Sequence, residues 1–369
     1  MSSSIHTVGQ IEQRLNALFH IELAESWDNV GLLVGDRHRP VERIMLCIDL
    51  AEPVLREAQS RRVDFVLAYH PPIFEPLRSV LADRQSIVYR AVKADIAVYS
   101  VHTALDVIPG GTSDALADLL ELQDRRPIRP IGRSDQSKLV VFVPEEHADR
   151  VASAIFAAGG GVIGDYTHCS FRAAGCGTFF GGEQAHPSVG QAGKFEVIPE
   201  LRLEVRVDSS RLSEVVRQMK QAHPYEEVAF DVYPLSPIDG DLGLGRIGTL
   251  VKPGKLKSVV TAIKRRTGQK NVLVVPGAAA KVIRKAAVGP GSCGKLCHEI
   301  AGRVDLYLTG ELRHHDALML QASGTHVICL GHGNSERPVL KNLGRMIKTA
   351  FPEMGIFTSA RDSDPLQIA

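Results

Sequence analysis

The sequence predicts an α/β protein in two halves, interrupted by a smaller α+β module. Three observations carry this. Apolar runs of strand length alternate with helical stretches from Arg43 to Leu122 and again from Leu256 to Phe351. Such alternation indicates a mainly parallel sheet covered on both faces. Between these regions a strand–helix–strand pattern occurs twice, and two such units make a ferredoxin-like split βαβ sandwich. The glycine-rich join Gly240-Asp241-Leu242-Gly243-Leu244-Gly245 marks the return to the first pattern. A chain of 369 residues is long for one domain. The expected division is 1–135 for the N-terminal half, 136–236 for the insert and 237–369 for the C-terminal half.

In the N-terminal half, Ile11, Leu15 and Leu18 give Val8 to Phe19 helical spacing. The segment Ser26-Trp27-Asp28-Asn29-Val30-Gly31-Leu32 holds the only tryptophan, in a context that also suits a packed turn. Arg43 to Ile48 reads as a strand and Pro53 to Arg61 as a helix. Val63-Asp64-Phe65-Val66-Leu67 is the next strand, and Pro71-Pro72 ends it at or just after His70. Gln85 to Lys93 is helical, and Ile96 to Val101 is a strand running into His102-Thr103-Ala104-Leu105-Asp106. After the turn Pro109-Gly110-Gly111, Thr112 or Ser113 suits the cap of a helix reaching Leu122.

In the insert, strands Lys138 to Val143 and Leu201 to Val207 each precede a helix, Glu145 to Ala158 and Ser210 to Ala222. Each helix leads to a strand candidate, Tyr166 to Phe171 and Val228 to Tyr233, with Gly175 to Gly193 as a long connection. In the C-terminal half, Leu256 to Thr267 reads as a helix, Asn271 to Val275 as a strand and Lys281 to Ala287 as a short helical or mixed segment. Gly289-Pro290-Gly291-Ser292-Cys293-Gly294 precedes a helix from Lys295 to Ala301. Glycine-rich turns of this kind can hold anions on free amides, but the P-loop spacing is missing and a plain turn suits it better. Strand Val304 to Leu308 ends in Thr309-Gly310-Glu311-Leu312-Arg313-His314-His315. Strand His326 to Leu330 ends in Gly331-His332-Gly333-Asn334-Ser335-Glu336, and Ser335 suits the cap of a long helix from Arg337 to Phe351.

Composition excludes some function classes. The net charge is +1 with acids and bases mixed, so nothing favours nucleic acid or an acidic membrane surface. No apolar run is long enough to span a bilayer, and the N-terminus lacks signal-peptide character. The six cysteines are scattered without a CxxC pair, as expected of reduced thiols in a cytoplasmic protein.

Four polar clusters fall at strand ends: His70; His102 with Asp106; Glu311 with His314 and His315; and His332 with Glu336. Ligands of α/β sheets bind at that edge. Imidazole and carboxylate are the donors of Zn, Fe and Mn sites. Singly, each cluster is equally explained by satisfied polar residues, and Glu336 by a helix N-terminus. Jointly, they point to a metal site built between the two halves, with a carboxylate such as Glu336 able to bridge two ions.

Five ordered motifs carry a family resemblance: Ser26-Trp27-Asp28-Asn29-Val30-Gly31-Leu32, Tyr69-His70-Pro71-Pro72-Ile73-Phe74, His102-Thr103-Ala104-Leu105-Asp106, Thr309-Gly310-Glu311-Leu312-Arg313-His314-His315 and Gly331-His332-Gly333-Asn334-Ser335-Glu336. Together they resemble the NIF-three-like family, often labelled GTP cyclohydrolase I type 2 homologue. Through Gly164-Asp165-Tyr166-Thr167-His168-Cys169-Ser170-Phe171 and His223-Pro224-Tyr225-Glu226-Glu227, the insert is similar to the PII/CutA-like module of longer members. The resemblance implies a dinuclear divalent-metal site and a ring-shaped homo-oligomer, usually a hexamer. It implies His70, Asp106, His332 and Glu336 as ligands, with Glu336 shared, and His102 and His314 as acid/base candidates beside Glu311. Where the family has a double histidine this chain has Tyr69-His70, so two unequal ion sites are expected.

Two functions from different classes fit these motifs. One is a metal-dependent hydrolase acting on a nucleotide or similar small molecule, with one or two Zn, Fe or Mn ions per chain. The other is a non-catalytic metal-binding regulator or scaffold whose insert senses a ligand or a partner. A structural protein with satisfied histidines is the third.

Overall fold

The computed structural model describes residues 6–82, 86–131, 136–235, 240–278 and 282–366. The chain divides into two compact units, Met1–Ile131 with Gly240–Ala369, and Gly132–Asp239. The first unit is mixed α/β and holds two larger sheets.

One sheet has five strands, in the order Gly355–Thr358, Arg43–Cys47, Phe65–Ala68, Ala97–Ser100 and Gly31–Val34. The first four are parallel and the last is antiparallel. Both faces are buried, and the strands read accordingly as continuous apolar runs. Ile44, Leu46, Phe65 and Leu67 pack with helices Val8–Phe19 and Val339–Ala350. The alternate residues Met45, Cys47, Val66 and Ala68 pack with helices Glu52–Ser60 and Ile87–Lys93. This period of two extends past the strand end. Tyr69 continues the Phe65–Leu67 face into the core, and His70 falls on the other side.

The second sheet has six strands, in the order Leu273–Val275, His326–Cys329, Leu306–Thr309, Ile283–Gly289, Arg246–Gly254 and Leu122–Arg126. Its central three are parallel, and the outer pairings are antiparallel. Helices Thr112–Leu119 and Leu256–Thr267 cover one face, and Leu296–Ile300 and His314–Ala322 the other. The two halves exchange strands: Gly355–Thr358 closes the N-terminal sheet, and Leu122–Arg126 closes the C-terminal one.

The second unit runs strand Gln136–Val143, helix Ala148–Ala157, strands Ser170–Phe180 and Phe195–Asp208, helix Leu212–Ala222 and strand Phe230–Pro234. Its antiparallel sheet has the order 170–180, 195–208, 136–143, 230–234. One apolar core, from Leu139 and Val151 to Val205 and Met219, joins both helices to the sheet.

The structure departs from the sequence reading in several places. The segment read as helical or mixed from Lys281 to Ala287 is the central strand Ile283–Gly289, and residue 281 lies outside the described residues. Exposed Arg284, half-buried Lys285 and two alanines masked a strand that is otherwise buried. The helix from Gln85 begins at Ile87, and residue 85 itself is not described. Neither Thr112 nor Ser113 caps its helix. Gly111 precedes it, while Ser113 Oγ donates to the Asp106 carbonyl at 2.8 Å and accepts the Gly245 N–H at 3.1 Å. The helix placed at Leu122 ends at Leu119, and Leu122 begins a strand. The long C-terminal helix runs Val339–Ala350 with Pro338 at its start, and Ser335 lies not at its cap but within a separate short helix, His332–Glu336. In the insert, the start of the glycine-rich connection, as far as Phe180, is strand, because Gly175 and Gly177 pair with Glu200 and Ile198 in a long hairpin.

The C-terminal tail holds the strand ends in place. Asp362 Oδ2 accepts the Ile48 N–H at 2.7 Å and pairs with Arg337 at 2.8 Å. Buried Glu57 accepts the Ser359 hydroxyl at 2.7 Å and the amides of Ala360 and Arg361 at 3.0 and 3.2 Å, and pairs with Arg61 at 3.0 Å. Burial pushes the Glu57 carboxyl up, but those bonds and Arg61 outweigh it and hold its pKa below the ordinary value. The stability it contributes is therefore full above the ordinary glutamate range and is lost as pH falls through the lowered folded value. Glu57→Gln is expected to cost about 1–3 kcal/mol at neutral pH. It should also flatten the loss of stability between about pH 5 and pH 3, measured by urea unfolding at stepped pH. An unchanged acid limb would show that the tail is anchored elsewhere.

Candidate metal centre

The polar clusters fall at the carboxyl ends of parallel strands in both sheets of the first unit. Asp49 follows Arg43–Cys47, His70 follows Phe65–Ala68, and His102 follows Ala97–Ser100. Glu311 follows Leu306–Thr309, and His332 follows His326–Cys329. The backbone ladder continues past the strands and fixes these positions. Tyr69 and His70 donate to the carbonyls of Cys47 and Ile48 at 2.9 Å, and His102 donates to that of Tyr69 at 3.0 Å. On the other sheet, Gly331 donates to Gly310 at 2.9 Å, and Gly310 and Glu311 donate to the Gly291 carbonyl at 3.1 and 3.2 Å.

His70, His332 and Glu336 offer ligand atoms that all lie within 4.8 Å of one another. Glu336 is only 3% exposed. Its Oε2 lies 3.4 Å from His70 Nε2, and its Oε1 lies 3.3 Å from His332 Nε2. Oε2 nevertheless has no partner in hydrogen-bonding geometry among the described residues. A buried carboxylate oxygen without such a partner is costly unless a cation completes its surroundings. Gly291 takes a left-handed conformation, φ +58°, directly against this carboxylate. A Cβ there would stand 2.5 Å from Glu336 Oε1 and 3.4 Å from His332 Nε2, so only glycine leaves the space open.

Each histidine is oriented by a carboxylate at Nδ1: His70 by Asp49 at 2.9 Å, His332 by Glu311 at 3.0 Å and His102 by Asp28 at 2.7 Å. Nε2 of each ring is thereby left for other duty, the arrangement that holds metal-ligating imidazoles. Electrostatics show a surplus of negative charge. Burial opposes charging of His70, yet the Asp49 hydrogen bond and the charges of Glu336 and Asp49 outweigh it and raise its pKa to about 10. Burial pushes Asp106 up to about 7, with the Glu336 charge adding to it and the Tyr69 hydrogen bond opposing. Tyr69 is buried, and its phenol pKa lies well above the ordinary value. Its O–H donates to Asp106 Oδ1 at 2.6 Å, so the residue standing where a second histidine was expected is a neutral donor.

The structure brings His70, His332 and Glu336 together and joins Asp106 to them through Tyr69. His102 sits beside them, its ring centroid 5.2 Å from that of His70. His314 stands exposed at a helix start with its ring 5.6 Å from that of His315, and it contacts none of the three. Trp27 is exposed and lies 5.9 Å from both His102 and exposed Phe74, ring to ring, while the neighbouring Asp28 is buried. Asp49 was not noted from sequence, and Asp28 and Gly291 were noted only within a motif and a glycine-rich turn, without a role at the site. The available signal was position alone, an acid or a glycine just beyond a buried strand. A second group, Cys297, His298 and Asp316, also has ligand atoms within 4.8 Å.

A mixed imidazole and carboxylate donor set suits Zn, Fe or Mn. Glu311→Ala removes only the support of His332. It is expected to weaken divalent-metal affinity by about 10- to 100-fold with the fold intact, measured by competition with a chromophoric chelator. Unchanged affinity would show that His332 is not a ligand.

The Duf34/NIF3 (NGG1p interacting factor 3) family model matches residues 6–365. A Bacillus subtilis protein named "GTP cyclohydrolase 1 type 2 homolog" is 36% identical over 347 residues, 92% of each chain. A relative of the same name from Halalkalibacterium halodurans is 35% identical, covering 93% of this chain and 94% of that one. The crystal structure of a Bacillus cereus protein related to NIF3 covers all of both chains at 32% identity and a TM-score of 0.74. The chain belongs to the Duf34/NIF3 family.

Proposed function

We propose that this protein is a divalent-metal-dependent hydrolase acting on a nucleotide-like substrate. The observation that carries the reading is Glu336, a buried carboxylate with one oxygen toward each of two imidazoles and Oε2 unsatisfied. His70, Asp106 and Glu336 would hold one ion, and His332 with the other oxygen of Glu336 a second. A bound ion supplies Lewis-acid polarisation of an electrophile and acidification of water. The chain's own residues do the rest. Asp28 fixes the His102 tautomer through Nδ1 and leaves Nε2 to carry a proton. Tyr69 holds Asp106 by Oδ1. Trp27 and Phe74 offer exposed aromatic faces beside His102 that suit a planar heterocycle. The relatives' name, GTP cyclohydrolase 1 type 2 homolog, supports a purine nucleotide as the first substrate to test.

A regulatory reading draws on the second unit. Its strand–helix–strand repeat and its strand order support a ferredoxin-like topology, and in this reading it would act as a PII/CutA-like sensor within a homo-oligomer. It has its own cavity of about 470 Å³, with Phe142, Phe179 and Tyr225 among its walls.

Calorimetric titration of metal-free protein with zinc or manganese should give one tight step and one weaker step. The inequality follows because the second ion finds two protein ligands, fewer than the three usual at a catalytic zinc. Tyr69→His should strengthen the weaker step. Metal-replete protein should hydrolyse guanosine triphosphate, and Asp106→Asn should slow this by about 10- to 100-fold. No turnover of any nucleotide would favour the regulatory reading.

A further inference from the structure

A cavity of about 690 Å³ adjoins the metal ligands. The two share Glu311, which lines the cavity and binds His332 Nδ1 at 3.0 Å. Its walls come from the glycine-rich turn at Ser292, Gly294 and Lys295 and from the start of helix His314–Ala322.

Its lining carries two acids and two bases. The acids Glu311 and Asp316 are each engaged by an imidazole, His332 and His298, at 3.0 Å. Lys295 and Arg313 also line it, and neither forms an ion pair among the described residues. Backbone donors add to them. Cys293 and Gly294 take consecutive left-handed conformations, φ +41° and +51°. The N–H groups of Ser292, Gly294 and Lys295 donate to no protein group among the described residues. Successive amides in such turns form anion-binding concavities. The helix His314–Ala322 begins at Arg313 without a side-chain cap, so its positive end also meets the cavity wall.

We propose that this cavity is the phosphate subsite of the substrate. Lys295, Arg313 and the amides of the glycine-rich turn would hold a phosphate or diphosphate group while the reacting part of the same molecule lies at the metal ligands. Two cations and several fixed amides match the tetrahedral, multiply charged phosphate better than a single carboxylate. This rests on the hydrolase reading and deepens it by giving the phosphates of the substrate a binding place of their own.

The test is calorimetry with pyrophosphate on full-length protein stripped of metal by a chelator, so that phosphate cannot bind through an ion. Pyrophosphate should bind the metal-free protein and the metal-deficient Glu336→Gln variant alike. Lys295→Ala with Arg313→Ala should weaken binding at least about tenfold. Lys295→Arg should retain it, and metal content should not change in any of the cavity variants. Equal affinity in the double variant would overturn the proposal. So would binding seen only with metal present, or no binding to the metal-free protein at millimolar pyrophosphate. The hydrolase reading fails separately, if pyrophosphate binds as expected but the metal-replete protein turns over no phosphate compound.

Discussion

A single buried carboxylate organises this protein. Glu336 stands between His70 from one sheet and His332 from the other, its two oxygens divided between them. Taking a charged group out of water is costly unless it is paired. Every neighbour of Glu336 bears on that cost. His70 is held protonated well above its ordinary range, and Asp106 is pushed toward neutrality. Tyr69 keeps its proton and donates a hydrogen bond to Asp106. In the proposed reading a divalent ion would be held here by His70, His332 and Glu336 and would offset the charge of the buried carboxylate.

That arrangement depends on close approach between the two sheets. Gly291 admits Glu336 where a side chain would not fit, and its carbonyl accepts the amides of Gly310 and Glu311. Ser335, next to the carboxylate, accepts the Gly291 N–H at 2.8 Å and donates to the His332 carbonyl at 2.7 Å. Asp362 then ties Ile48, at the end of the neighbouring strand, to Arg337, which follows the ligand helix. The strands exchanged between the sheets make these contacts part of one folding unit. Displacement of either sheet would separate the imidazoles that share the carboxylate.

Much of this was legible in the sequence because local physics wrote it there. The helices Val8–Phe19 and Leu256–Thr267 were placed to the residue by apolar spacing. His70 and His332 stood out because prolines or glycines stop an apolar strand beside them. Strand Ile283–Gly289 was missed because its burial comes from neighbours on both sides and its alanines carry no strand signature. The exchange of Leu122–Arg126 and Gly355–Thr358 is set by pairings distant in sequence. The carboxylates behind the histidines were hidden for the same reason: Asp28 meets His102 across 74 positions and Asp49 meets His70 across 21. His314 drew notice by residue type, yet its helix turns it toward His315 and solvent.

The most direct test of the central claim is anomalous X-ray diffraction from crystals soaked in zinc or manganese, recorded across the metal absorption edge. The account predicts anomalous density within coordination distance of Glu336 and at least one of His70 Nε2 and His332 Nε2, stronger on the His70–Asp106 side. Density found only at Cys297, His298 and Asp316, or none near Glu336, would contradict it.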